Sequence, residues 1–231
     1  VASGNWSGDK PTVGVTLVSM VWGDYWGRFG DEWIDSVWAL DPAPAEVILA
    51  TDKLRQLPVG WKQVDLVEPK HWGTIHHLFR CASQDYVAPL MVDDRMPPNG
   101  LADLVLEGDI IVSGHLDSFD AVRMPRRENY ERAFDAPFYT LSGYAVYKKD
   151  VFERIPYRPI MWADWVASIE YLQHGLDVRF EDRVRMFYTL HDDQHSRKGN
   201  FDVALRNVGL AQMMARNGGL KPGAVWPPEW L

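Results

Sequence analysis

The chain has 231 residues, of which 46% are hydrophobic and 11 are tryptophan, and it carries a net charge of −8. That is ample apolar material for the core of one α/β domain and argues against a disordered chain. The acidic balance disfavours nucleic acid and anionic membranes as partners, and no apolar run approaches the roughly 20 residues of a membrane-spanning helix.

Residues 1–12 form a polar lead-in without the basic-then-apolar order of a signal peptide. Val13 to Met20 is a β-rich apolar strand. The loop Val21-Trp-Gly-Asp-Tyr-Trp-Gly27 leads into a helix marked by Phe29, Trp33, Ile34, Val37 and Trp38 at helical spacing. Asp41-Pro-Ala-Pro44 ends it, and a second strand, Glu46 to Asp52, finishes on an acid. A short third strand falls at Gln63 to Val67, followed by a helix near Thr74 to Ser83 with Ile75, Leu78, Phe79 and Ala82 on one face. That helix holds the chain's one cysteine, Cys81, between Phe79 and Ala82, where it reads as a small core residue. A single cysteine allows no internal disulfide framework and no thiolate metal cluster, and makes a reducing cytoplasm the default.

The next strand is the most informative stretch. Tyr86 to Val92 is an apolar run that ends in Asp93 and Asp94, before Pro97 and Pro98 stop it. Acids at the carboxyl end of an interior strand lie where open α/β sheets bind ligands. Two adjacent carboxylates repel unless a cation or hydrogen-bond donors compensate them. Further strands are expected at Gly108 to Ser113, Phe138 to Val146 and Arg183 to Leu190, with helices at Asp164 to His174 and Phe201 to Arg216. Residues 217–231 are too rich in Gly and Pro for regular structure. Strand–helix alternation predicts an α/β fold with a Rossmann-like, mostly parallel sheet flanked by helices. Yet the turn after the first strand lacks Gly-x-Gly-x-x-Gly, and no Gly-x-x-x-x-Gly-Lys-Ser/Thr occurs, so phosphate is held in some other way. A divalent cation on carboxylates is one such way.

Tyr86-Val-Ala-Pro-Leu-Met-Val-Asp-Asp94, with Pro98-Asn99-Gly-Leu101 behind it, resembles the key strand of the small inverting glycosyltransferases of the GT-A fold. The resemblance runs over roughly residues 13 to 197 and includes Thr140-Leu-Ser-Gly-Tyr144, Trp162-Ala-Asp-Trp165 and Tyr188-Thr-Leu-His191. It implies a single domain over 13–216, with a nucleotide-binding half at 13–107 and a mixed acceptor half at 108–200. It also implies a nucleotide-sugar donor, UDP-linked by default, and Mn2+ or Mg2+. Asp93 matches the metal-binding acid of the family's Asp-x-Asp motif, and His191 matches a histidine that completes the metal shell. Asp94 would orient a ligand or the sugar, and Asp52 and Trp22 would meet the base or ribose. His77 or Arg80 would be the donor-facing residue on the preceding helix. Ser142, Gly143, Trp162 and Trp165 fall at the sugar and acceptor, and Asp164 at the general base, although Asp is equally a favoured N-cap.

The sequence departs from the family at Met91, where the motif's first acid stands, and at Ala163, where a Glu precedes the base. A thioether does not replace a carboxylate for a hard cation. Metal-independent transfer is therefore open, with Arg95 and the cluster Arg123, Arg126, Arg127 and Arg132 as alternative cations for the diphosphate. The same losses suit a non-catalytic carbohydrate- or protein-binding module on this fold. A nucleotidyltransferase is the remaining reading, and the absent Gly-rich loop weighs against it.

Overall fold

The computed structural model describes residues 10–68, 72–132, 144–156, 163–191 and 201–216. β1 (Thr12–Val21) runs through the middle of the sheet, and residues 15–21 are buried, as a strand covered on both faces requires. After it come α1 (Tyr25–Trp38), β2 (Ala43–Thr51), β3 (Lys62–Asp65), α2 (Trp72–Cys81) and β4 (Tyr86–Pro89). The second half adds β5 (Ile110–Asp117), β6 (Val122–Arg123), α3 (Arg127–Glu131), β7 (Tyr144–Lys148), α4 (Val151–Arg154), α5 (Ala163–Gln173), β8 (Val178–Tyr188) and α6 (Phe201–Arg216). No described helix is long and apolar enough to cross a membrane.

The strands make one sheet in the order β3–β2–β1–β4–β7–β5–β6, with β8 also paired to β5. β1 to β4 are parallel where they pair, as are β5 and β8, while β7 is antiparallel to both β4 and β5. A mostly parallel sheet is what the strand–helix alternation predicted; β6 and β7 run against the rest, and side-chain alternation gives the sheet two cores. On one face Val18, Ile48, Val87 and Val112 pack against Leu78 and Phe79 of α2, Tyr130 of α3, Phe152 of α4 and Tyr171 of α5. On the other, Leu17, Leu49, Ala88 and Ile111 pack against Trp33 and Val37 of α1.

Several boundaries differ from the sequence reading. β4 ends at Pro89 rather than Val92, although the Leu90 amide still donates to the Val18 carbonyl (2.8 Å). β8 begins at Val178, five residues before Arg183, because partnership with β5 recruits polar residues that no apolar run announces. The Phe138 to Val146 strand is represented by β7, and residues 138–143 lie outside the described residues, as do 1–9 and 217–231. The short β6, α3 and α4 were not anticipated.

Two buried braces fix the loop that carries the acids. Trp33 is fully buried, donates from Nε1 to the Leu90 carbonyl (3.2 Å) and meets Trp61 edge-on at 5.5 Å. Arg185, 1% exposed, reaches from β8 to the Gly100 and Ala102 carbonyls (2.8 and 2.9 Å) while paired with Glu181 (2.5 Å). Gly100 sits against Met96 so closely that a Cβ there would lie 2.1 Å from its Cγ and 2.9 Å from the Pro97 carbonyl, so a larger residue would have to push Met96 and the loop apart.

Candidate active site

The carboxyl ends of β1, β2, β4 and β8 meet at one edge of the sheet. At the end of β1, Trp22 is half-buried and packs against the α2-side core. Gly23 turns the chain at φ +63° and donates its amide to Asp52 Oδ2 at the end of β2 (2.9 Å). That amide, and then Arg55, whose Nη2 lies 2.9 Å from Oδ1, hold the Asp52 carboxyl below its usual range despite some burial. Arg55 also lies over the Trp26 ring at 5.9 Å. Asp52 thus ties the β1 loop to β2 and keeps its carboxylate partly exposed at this edge.

The adjacent acids after β4 receive different environments. Asp93 stays partly accessible, and His191, 98 residues later, brings Nε2 to 3.0 Å from its Oδ2. Asp94 is buried and accepts the Thr189 amide on Oδ1 (3.0 Å). Burial, and next the charge of Asp93, push the Asp94 carboxyl well above its ordinary value. The repulsion expected of two neighbouring carboxylates is relieved here by keeping one in apolar surroundings and giving the other a histidine.

The His191 ring is held by α1, with Tyr25 at 5.6 Å and Phe29 at 5.2 Å. Over the same two rings lies Arg28, whose guanidinium carbon is 4.8 Å from the Phe29 centroid and 5.5 Å from that of Tyr25. Sequence reasoning passed over Arg28. The available signal was its place in the first turn of the helix that leaves the aromatic loop. Thr189, which caps Asp94 through its backbone, had no side-chain signal at all.

The remaining expected residues are distributed less simply. Met91 is half-buried and packs against the α2-side core with Trp22, so the position of the missing acid serves packing. Arg95 donates to the carbonyls of Val92, Asp94 and Phe29 and pairs with Glu32 (2.8 Å). That makes Arg95 a brace for the acid loop instead of the diphosphate cation expected of it, because a guanidinium holding four acceptors is already committed. Arg80 lies in the last turn of α2, beside the amino end of β4, and lines a cavity with Lys149 and Glu153. It is therefore at the sheet edge opposite the acids. Arg127 donates to the Val178 carbonyl (2.9 Å) and lies over Phe180, at the amino end of β8, while Arg126 is exposed at the start of α3. Neither joins Asp93, because β8, paired along the eight residues of β5, carries the chain roughly 23 Å from that end before it reaches Tyr188. Arg123 pairs with Asp117 (3.4 Å), and Arg132 is exposed.

Ser142, Gly143 and Trp162 lie outside the described residues. Asp164 and Trp165 fall in the first turn of α5, where the backbone alone is described. α5 turns at Gly175 into β8 and runs back against it, which directs its amino end toward the edge that carries the acids.

The chemistry of Asp93 and His191 fits a divalent cation that takes one carboxylate oxygen and one imidazole nitrogen. Among the described residues no group of three or more His, Cys, Asp or Glu is gathered. Such a cation would rely on diphosphate oxygens and water for its other ligands, as cations at phosphate sites commonly do.

No protein-family model matches the chain, and no curated protein matches it in sequence. Solved structures do match its fold. Residues 1–349 of S. aureus TarS, in complex with UDP-GlcNAc, align with a TM-score of 0.63 over 87% of this chain and 66% of that one, at 11% identity. Glucosyl-3-phosphoglycerate synthase from Mycobacterium tuberculosis, in complex with Mn2+, UDP and glucosyl-3-phosphoglycerate, aligns at 0.56 over 90% of this chain and 81% of that one, at 14% identity. A mannosyltransferase from Pyrobaculum calidifontis, in complex with GDP-Man and Mn2+, aligns at 0.52 over 93% and 76%, at 12% identity. The chain thus spans slightly less than two thirds of the TarS fragment, and 37% of a longer TarS chain. At these identities the likeness is one of fold, and the fold is GT-A.

Proposed function

We propose that this chain moves a sugar from a nucleotide diphosphate donor to an acceptor hydroxyl, with inversion at the sugar. The observation that carries this reading is the 3.0 Å meeting of Asp93 and His191, 98 residues apart in sequence, at the ligand-binding edge of a GT-A sheet. The structures of like fold hold UDP-GlcNAc, UDP or GDP-Man, two of them with Mn2+.

In this reading residues 13–107 bind the nucleotide and residues 108–200 the acceptor. Asp52 and Trp22, at the ends of β2 and β1, take the base and ribose. Asp93 and His191 hold Mn2+ or Mg2+, which when bound supplies positive charge to the leaving diphosphate. Arg28 adds a second cation from α1, over the rings that position His191. Asp94, buried and held by the Thr189 amide, fixes the loop and presents its remaining oxygen to the sugar. Asp164, at the amino end of α5, accepts the proton of the acceptor hydroxyl as that oxygen attacks the anomeric carbon. Ser142, Gly143, Trp162 and Trp165 line the sugar and acceptor side.

The test is release of nucleoside diphosphate from a panel of UDP-, GDP- and TDP-sugars, with Mn2+ and with EDTA. Mn2+-dependent release from one donor is the expected result, and release that survives EDTA moves the leaving-group role to arginine. Asp164→Asn should retain donor affinity and lose turnover; unchanged turnover removes Asp164 as the base. Neither binding nor release from any donor would leave the binding-module reading, which the packed Met91 favours.

A further inference from the structure

The second half of the sheet carries an apolar row that its own core does not use. Leu116 of β5 is in register with Val122 of β6 on one side and with Phe187 of β8 on the other, so the three side chains share one face. Val122 is 56% exposed and Phe187 39%, and Phe119, at the tip of the β5–β6 hairpin, is 72% exposed. Strand alternation identifies the face. His115 and Met186 are paired, and Met186 and Tyr188 belong to the α1-side core, so Leu116 and Phe187 point to the side that carries α3 and α5.

α5 does not reach the row. Its 11 residues span about 16 Å as a helix, whereas the row lies six β5 residues, roughly 20 Å, from the Ile110–Val178 pair at which β8 begins. The helix covers the amino part of the strand, and the row lies just past the helix's first turn, which holds Asp164. Phe187 exchanges backbone hydrogen bonds with Arg95 (2.8 and 3.1 Å), directly after Asp94, and stands four residues before His191. The row therefore adjoins the acid loop at Arg95 and shares a face of the sheet with α5, whose first turn holds the proposed base. Exposed apolar surface placed this way is a binding surface rather than incidental exposure.

We infer that Leu116, Val122 and Phe187, with Phe119 at the rim, hold the apolar body of the acceptor, so that the accepting hydroxyl belongs to an alkyl- or aryl-bearing molecule rather than to a bare sugar. This rests on the glycosyltransferase reading, and its test keeps the two apart. Binding of n-octyl β-D-glucoside, below its micelle concentration, and of methyl β-D-glucoside is measured by calorimetry on the full chain. Binding of UDP, GDP and TDP with Mn2+ is measured separately. The octyl compound should bind at least about tenfold tighter, a margin that burial of two methylenes supplies. V122S/F187S should abolish that preference while leaving nucleotide binding intact in a chain that remains folded, and M213S, a change at an exposed residue of α6, should leave the preference intact. Equal affinity for the two glucosides, or a preference that survives V122S/F187S, overturns the apolar platform while the glycosyltransferase reading stands. Absence of nucleotide binding refutes the glycosyltransferase reading, and the acceptor role falls with it whatever the glucosides do.

Discussion

Replacing Arg185 with methionine tests how the acid loop is held. The stem of Arg185 is buried, and methionine keeps most of that packing. What disappears is the guanidinium, which bonds the Gly100 carbonyl at 2.8 Å, the Ala102 carbonyl at 2.9 Å and both oxygens of Glu181. Ala102 keeps a second donor, Arg183 Nη1 at 2.7 Å, so its carbonyl is not orphaned. Gly100 is buried and loses its side-chain donor, at a cost of about 1–3 kcal/mol. Glu181, 18% exposed, can partly rehydrate, so its loss falls below the ~3–5 kcal/mol of a fully buried broken pair. The sum is roughly 3 kcal/mol, or a fall in melting temperature of about 6–12 °C for a chain of this size. Urea and thermal unfolding measure it, with Glu181→Gln expected to lose less. Because Gly100 closes the loop behind Asp93 and Asp94, Mn2+ affinity should fall in the same variant under conditions where it remains folded. A loss below about 1 kcal/mol would mean that the loop is held by its apolar contacts alone, and the brace argument would be wrong.

Asp93→Asn and His191→Ala should each lower Mn2+ affinity by tenfold or more in chains that remain folded, as read by titration of the Mn2+ resonance signal. Unaltered affinity in both would move the metal elsewhere. Arg28→Ala should weaken nucleoside diphosphate binding more than nucleoside binding, whereas Arg80→Ala, at the opposite sheet edge, should change neither. Equal effects from the two arginines would refute the assignment of the cleft. At Glu46, burial acts to raise the pKa, but Lys62, Thr16 and the Ser83 amide and hydroxyl outweigh it and hold the carboxyl below its ordinary 4.5. A lowered folded pKa contributes stability that is complete above about pH 4.5 and is lost as pH falls through the lowered value. Glu46→Gln should therefore destabilise at neutral pH by about 1–3 kcal/mol and flatten the acid limb of the melting profile; an unchanged acid limb would show that other carboxyls govern it.

The sequence by itself determined the strand–helix order, the absence of a dinucleotide loop, and the acids at the carboxyl ends of β2 and β4. Those features are local. Periodicity places apolar residues, and the end of an apolar run marks where a strand gives way to a loop. The same reasoning paired Asp93 with His191 across 98 residues only through resemblance, and the sheet is what brings them to 3.0 Å. It did not reach the division between Asp93 and Asp94, which depends on one carboxyl being buried beneath Thr189 while its neighbour is not. Nor could it sort the arginines. Arg28, Arg80, Arg95 and Arg127 look alike in a sequence, and which of them faces the cleft depends on which edge of the sheet each element ends at. Tertiary structure alone decided that Arg95 braces carbonyls, that Arg185 crosses from β8 to the acid loop, and that Leu116, Val122 and Phe187 form one row. Strand register and burial set all three, and both arise from contacts between residues far apart in the chain, which no local pattern encodes.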